Sequence, residues 1–194
     1  MSLWRPVVEQ LGRYLAMAPS KNSVPDRWLD YDDLGGTVPG TRFVPFKVPL
    51  RELISIRVPP ERRFTPNDVL QRLPDLGLVI DLTCTDRYYD PRVMVSHGII
   101  HTKIRCAGQL LPNRKVVKNF TRAVDAFATK PANDGKLIGV HCTHGVNRTG
   151  YLVCRYMIGS LGIAPATAIE QFQNARGHQF DRQEYVKDLY GRFQ

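Results

Sequence analysis

Between Lys136 and Leu161 the chain joins an apolar run, a short polar loop and a helical apolar repeat. Few segments restrict a fold as tightly. Lys136 to His141 has the continuous hydrophobicity of a strand buried on both faces, and Arg148 to Leu161 repeats apolar residues at helical spacing. Two further runs, Gly77 to Leu82 and Ile99 to Ile104, predict strands of the same buried kind. Val116, Val117, Phe120, Val124 and Phe127 predict a helix between the second and third of these strands. Thr65-Pro66 supplies an N-cap and first helical residue for another helix, with Val69, Leu70 and Leu73 facing inward. Pro165 opens a further helix after the one that follows the polar loop, and Asp181 is the predicted cap of the last. Arg42 to Leu50, apolar but broken by two prolines, suits an edge strand. Strands alternating with helices predict an α/β three-layer sandwich, a mostly parallel central sheet flanked by helices.

With 194 residues the chain suffices for one domain with a substantial core. Residues 1–24 read as an N-terminal extension, made of a weakly amphipathic stretch from Leu3 to Met17 and a small, polar linker over 18–24. The catalytic unit is expected over 25–194. The net charge of +9 favours polyanionic partners. Four cysteines, at 84, 106, 142 and 154, have no metal-binding spacing and no disulfide-scaffold pattern, so a reducing compartment is expected. No apolar run is long enough to span a membrane. Asp30, Asp32 and Asp33 read as a solvated loop, and no metal or other cofactor is expected.

The loop is His141-Cys142-Thr143-His144-Gly145-Val146-Asn147-Arg148-Thr149. Five residues between Cys142 and Arg148 allow the backbone to curl around one phosphate, with successive amides pointing inward and the following helix adding its positive end. The same field favours a thiolate at Cys142, a nucleophile that then needs no neighbouring base. Arg148 presents a planar fork for two phosphate oxygens. The Thr149 hydroxyl can donate to the sulfur when it leaves a phosphocysteine, and His141 can orient the loop. Cys106 and Cys154 lack such surroundings and read as core.

These residues carry the signature of the protein tyrosine phosphatase superfamily. Further words, Val79-Ile80-Asp81-Leu82-Thr83, Asp86-Arg87-Tyr88-Tyr89 and Ala175-Arg176-Gly177-His178, resemble its RNA 5′-triphosphatase branch over roughly 25–193. Arg176-Gly177-His178 with Asp181-Arg182-Gln183 is most similar to the RNA- and RNP-complex-interacting and baculovirus phosphatases. Capping-enzyme domains match less well, and the chain has no guanylyltransferase lysine motif. The resemblance implies a dual-specificity-type fold and removal of the γ- and β-phosphates from RNA 5′ ends. It also implies a monomer in the nucleus, with ribonucleoprotein complexes among its candidate partners. Cys84 stands where the branch usually has asparagine. At a strand end near the loop, it is a candidate redox partner of Cys142.

Phosphatases of this superfamily that release alcohols or phenols usually carry an aspartic acid about 30 to 40 residues before the nucleophile. Between Asp90 and Asp125 this chain has no acidic residue. A phosphoanhydride releases an already acidic phosphate and needs no such donor, so the gap points to a triphosphate end. Asp81 and Asp86 remain as substitutes, with Asp81 expected to bind loop amides instead. Arg182, Arg176 and Arg87 are the expected substrate-binding arginines, with Tyr88 and Tyr89 as rim or core aromatics that could stack on a base. The competing readings are a dual-specificity protein phosphatase and a non-catalytic RNA-binding module.

Overall fold

The computed structural model describes residues 21–191; the stretch from Leu3 to Met17 and the first part of the linker lie outside them. Among the described residues four strands form one sheet: β1 (Phe43–Phe46), β2 (Leu76–Asp81), β3 (Ile100–Lys103) and β4 (Leu137–His141). Their order is β1-β4-β2-β3 and every pairing is parallel. Accompanying them are α1 (Glu52–Ser55), α2 (Pro66–Arg72), α3 (Arg92–Val95), α4 (Arg114–Ala128), α5 (Asn147–Leu161), α6 (Pro165–Arg176) and α7 (Gln183–Gly191).

Side chains alternate along the central strands and so feed two apolar layers. Phe43, Leu78, Ile80, Ile138 and Val140 join Phe120, Leu152, Phe172 and Leu189 on one face. Val44, Phe46, Leu76 and Val79 join Trp28, Ile54, Phe64 and Met94 on the other. The three-layer expectation therefore holds. Thr65 caps α2 as its sequence predicts, completing a capping box with Asp68.

Three expectations need correction. β3 is an edge strand with Ile100 44% exposed, not a strand buried on both faces. Apolar runs alone cannot tell a central strand from an edge lying beside a helix. Asp181 does not cap α7; its carboxylate accepts hydrogen bonds from Tyr31 Oη at 3.0 Å and Asn147 Nδ2 at 2.9 Å. The linker reading also fails at its C-terminal part. Asn22 accepts from Arg51 Nη2 at 2.7 Å, and the Ser23 carbonyl from Arg87 Nη1 at 2.7 Å.

Pairing register aligns Phe46, His141, Asp81 and Lys103 in a row across the sheet. All four strands thus end together, with the polar loop leaving β4 between two neighbours, the place where parallel sheets hold ligands. Behind that loop, α5 is anchored by Gly150, where a Cβ would lie 2.4 Å from the Phe172 ring. Phe172 is fully buried and packs obliquely on Phe180, with centroids 5.6 Å apart. Phe172→Ala is expected to lower stability by about 3–5 kcal/mol, read as a lower urea midpoint with an unchanged slope.

Candidate active site

A loop that points its amides inward must turn its carbonyls outward, and each buried carbonyl then needs a donor. The structure supplies them one by one. Leu82 N donates to the His141 carbonyl at 2.8 Å, and Val48 N to that of Thr143 at 3.1 Å. His141 Nδ1 lies 3.2 Å from the Cys142 carbonyl. Arg176 donates from Nη2 to the His144 carbonyl at 2.9 Å and from Nε to that of Gly145 at 3.1 Å. Gly145 is at φ +71°, and a Cβ there would lie 2.2 Å from the Phe46 carbonyl oxygen, so the turn requires glycine.

Inside this ring Cys142 is 3% exposed. Burial alone would raise its pKa. The Arg148 guanidinium, the Thr149 hydroxyl and the amides of Thr149 and Gly145 outweigh that and bring it below the usual thiol value. Thr149 Oγ1 is buried with no oxygen or nitrogen partner among the described residues, which leaves it to the sulfur. Arg148 is held by its Nη1 bond to the Cys106 carbonyl at 2.9 Å and its Nη2 bond to Thr143 Oγ1 at 2.9 Å.

His141 is fully buried, and burial lowers its pKa to about 4, so it is neutral at pH 7. With Nδ1–H given to the Cys142 carbonyl, Nε2 is the acceptor for Tyr89 Oη at 2.8 Å. Tyr89 in turn lies 2.9 Å from His101 Nε2. Asp81 lies behind this chain. Its carboxylate accepts from Thr83 N and Thr83 Oγ1 at 2.8 Å each and from Lys103 Nζ at 2.8 Å. Burial opposes its ionisation, but His141, Lys103 and Thr83 together hold its carboxyl below the usual range. Asp81 is therefore spent on the backbone after β2 and on Lys103, and it donates no proton at neutral pH. Asp86 pairs with Arg105 and Lys103. Neither carboxylate lines the catalytic cavity.

That cavity, of about 330 Å³, is floored by Cys142, Thr143, His144, Asn147 and Arg148. Arg182 and Arg87 both line it. Asn147 sets the first by accepting from Arg182 N at 3.2 Å. Arg87 stands over the Tyr88 ring, 4.4 Å from its centroid, which occupies that aromatic face. Tyr88 lines the cavity with that one face covered, whereas Tyr89 is buried in the His141 chain and is not open to stack on a base.

Arg176 is the clear correction among the arginines. It is 1% exposed and grips the back of the loop and the Asp32 carbonyl, so it positions the loop and does not reach a substrate. Burial pushes its pKa down to about 10, against the pull of Cys142, Asp32 and Asp33. Cys84 is exposed and does not line the cavity, and all four thiols are free. Cys106 is buried, and burial raises its thiol pKa to about 11.

Sequence reasoning missed the N-terminal strap. Residues 25–33 cross the loop: the Asp26 carbonyl lies 2.8 Å from His144 Nε2, and Tyr31 stacks on the His144 ring at 4.5 Å. Lys47, fully buried, ties the strap down through the Tyr31 carbonyl at 2.9 Å and Asp33 Oδ1 at 2.9 Å, with the Trp28 ring over its ammonium. The Asp30-to-Asp33 stretch is accordingly not a wholly solvated loop. Asp26 is the one carboxylate-bearing residue lining the cavity among the described residues. Nothing local in the sequence marks it, because only the strap's path brings it to the loop.

Two outcomes check this geometry. Iodoacetamide should alkylate Cys142 at a rate that levels off below the ionisation range of a free thiol. Arg148→Ala or Thr149→Ala should move that midpoint upward. Arg176→Lys keeps a cation but loses the fork, and should lower kcat about 10–100-fold with little change in KM.

Residues 66–193 match the family described as dual specificity phosphatase, catalytic domain. Human "RNA/RNP complex-1-interacting phosphatase" is 43% identical over 182 residues, covering 92% of this chain and 55% of that protein. The "Tyrosine-protein phosphatase" of Autographa californica nuclear polyhedrosis virus is 43% identical over 166 residues, 85% of this chain and 98% of that one. The chain spans little more than half the length of the mammalian relatives it matches. Among solved structures, Tk-PTP in its active form superposes with a TM-score of 0.58 at 17% identity, covering 81% of this chain and 97% of that one, a likeness of fold. The amide-ringed cysteine, the fold and these relatives agree: the chain belongs to the dual specificity phosphatase catalytic-domain family.

Proposed function

We propose that this chain is a metal-independent polynucleotide 5′-triphosphatase and diphosphatase, removing the γ- and then the β-phosphate from RNA ends. The carrying observation is the cavity wall between β3 and α4, which contributes Gly108 and Gln109 and no carboxylate. Arg87, Arg148 and Arg182 meanwhile bring three guanidinium groups to the same space. Cations of this kind suit a chain of phosphates. Relatives named for interaction with RNA/RNP complexes support the same reading.

In the first step the Cys142 thiolate attacks the terminal phosphorus. The S–P bond forms, the P–O bond to the next phosphate breaks, and its electron pair leaves on an oxygen that stays ionised at neutral pH. Arg148 and the loop amides stabilise the equatorial oxygens as charge spreads over them. In the second step water attacks the phosphocysteine, the S–P bond breaks, and the pair returns to sulfur under the Thr149 hydroxyl. The proton that water loses passes to solvent.

Asp26 favours a second reading, a protein phosphatase in which it protonates a tyrosine or serine oxygen. Purified protein should be given γ- and β-labelled triphosphate RNA, a phosphotyrosine peptide and EDTA. Faster turnover of RNA than of peptide, undiminished by EDTA, is expected; the reverse ranking would overturn the proposal. Cys142→Ser should abolish turnover and keep RNA binding. Asp26→Asn should leave cleavage of the anhydride within about threefold, whereas any phosphotyrosine hydrolysis should fall about 10²-fold.

A further inference from the structure

α4 carries charges that its own stability does not explain. Arg114, Lys115, Lys118 and Arg122 are all exposed, and at about 100° per residue they fall within an arc of roughly 100° on its outer face. Its inner face buries Phe120, Val124 and Phe127. Arg114, Lys118 and Arg122 follow one another at i, i+4 and i+8, a spacing at which like charges oppose a helix. Two of the four cations occupy the first turn, where the backbone dipole favours acids, and that turn has no acidic residue. None of the four forms an ion pair with a described residue. The helix's single acid, Asp125, accepts from Tyr156 Oη at 2.8 Å. Lys130, just beyond the helix end, is exposed too.

Geometry joins this row to the catalytic cavity. Gln109 lines the cavity, and five residues of chain then lead to Arg114, a span of at most about 18 Å. Farther along, Arg122 and Lys130 rim a groove of about 420 Å³ between α4 and the exposed edge strand β3, with Ile100 and Phe127 in its lining. Lys103 reaches that groove too, but its ammonium is committed to Asp81 and Thr83.

We infer that the outer face of α4 is a binding track for the body of a single-stranded RNA whose 5′ end lies in the catalytic cavity. The inference deepens the function proposed above and rests on it for the location of the 5′ end. Phosphates of the first nucleotides meet Arg114 and Lys115, and the strand runs toward Lys130. Cations in a row without ion-pair partners, aligned with a cavity that takes a terminal phosphate, suit a flexible polyanion. The apolar groove floor offers a surface for a base, and the cations hold the backbone without reading sequence.

The test uses Cys142→Ser protein, with and without Lys115→Gln, Lys118→Gln and Arg122→Gln together, and a labelled 12-nucleotide RNA with a 5′-hydroxyl end. Because that RNA has no phosphate at its 5′ end, binding decides the track even if triphosphatase activity is absent. Losing three phosphate contacts should reduce the slope of log affinity against log salt by about 2, at roughly 0.7 per contact. Affinity at low salt should fall at least about tenfold. With Cys142 intact, the triple variant should raise KM for a triphosphate 12-mer and leave a nucleoside 5′-triphosphate, which has no following nucleotides, unaffected, with its melting temperature retained. An unchanged slope and affinity would overturn the track, as would equal loss on both substrates. An acidic phosphopeptide bound with the same three-residue sensitivity and higher affinity would transfer the surface to a protein partner.

Discussion

Everything at this site depends on where the carbonyl groups of one short loop go. Amides can converge on one sulfur and one phosphate only if the carbonyls between them face the opposite way, into protein, where an unpaired oxygen is heavily penalised. Leu82 N, Val48 N, Arg176 and His141 Nδ1 meet those needs from β-strand ends, α6 and the loop itself. Gly150 N serves a further one, donating to the Val146 carbonyl at 2.8 Å within α5. The thiolate is thus a consequence of how carbonyls are satisfied outside the ring. This gives Arg176 its place: a guanidinium can serve two loop carbonyls and the strap's Asp32 at once, which an ammonium with a less fixed geometry does poorly.

Two buried cations, Arg176 and Lys47, stand on the side of the loop away from the phosphate position. Both bind backbone oxygens of the strap, so the N-terminal segment and the loop are clamped by one set of interactions. The His141–Tyr89–His101 chain performs a similar task from the other side, fixing the imidazole tautomer through a backbone carbonyl and two rings. Other cations, by contrast, face outward: Arg182 and Arg87 line the cavity, and the cation row on α4 is exposed. A basic net charge therefore divides into an inner group that shapes the loop and an outer group at the cavity and on the surface of α4.

Much of this was legible from local pattern. Strands β2 and β4, helices α2, α4, α5 and α6, and the loop between β4 and α5 follow from hydrophobic period, capping chemistry and the Cys142-to-Arg148 spacing. What escaped was decided by neighbours distant in sequence. Asp181 looked like a cap because aspartate before a helix often is one; Tyr31 and Asn147, 150 and 34 residues away, bind it instead. Arg176 looked like a substrate ligand because related enzymes bring an arginine over such a loop from this part of the chain, yet here packing turned it underneath.

By itself the sequence determined the parallel α/β architecture and the chemistry of the loop, because periodicity and a five-residue turn are properties of contiguous chain. Only tertiary structure decided which cations face the cavity and which hold the loop from behind. Tertiary structure likewise brought Asp26 to the cavity and left β3 at an edge. The physical reason is that burial and hydrogen-bond partnership belong to pairs of segments, and a charged side chain takes its role from whichever carbonyls or solvent the fold places beside it.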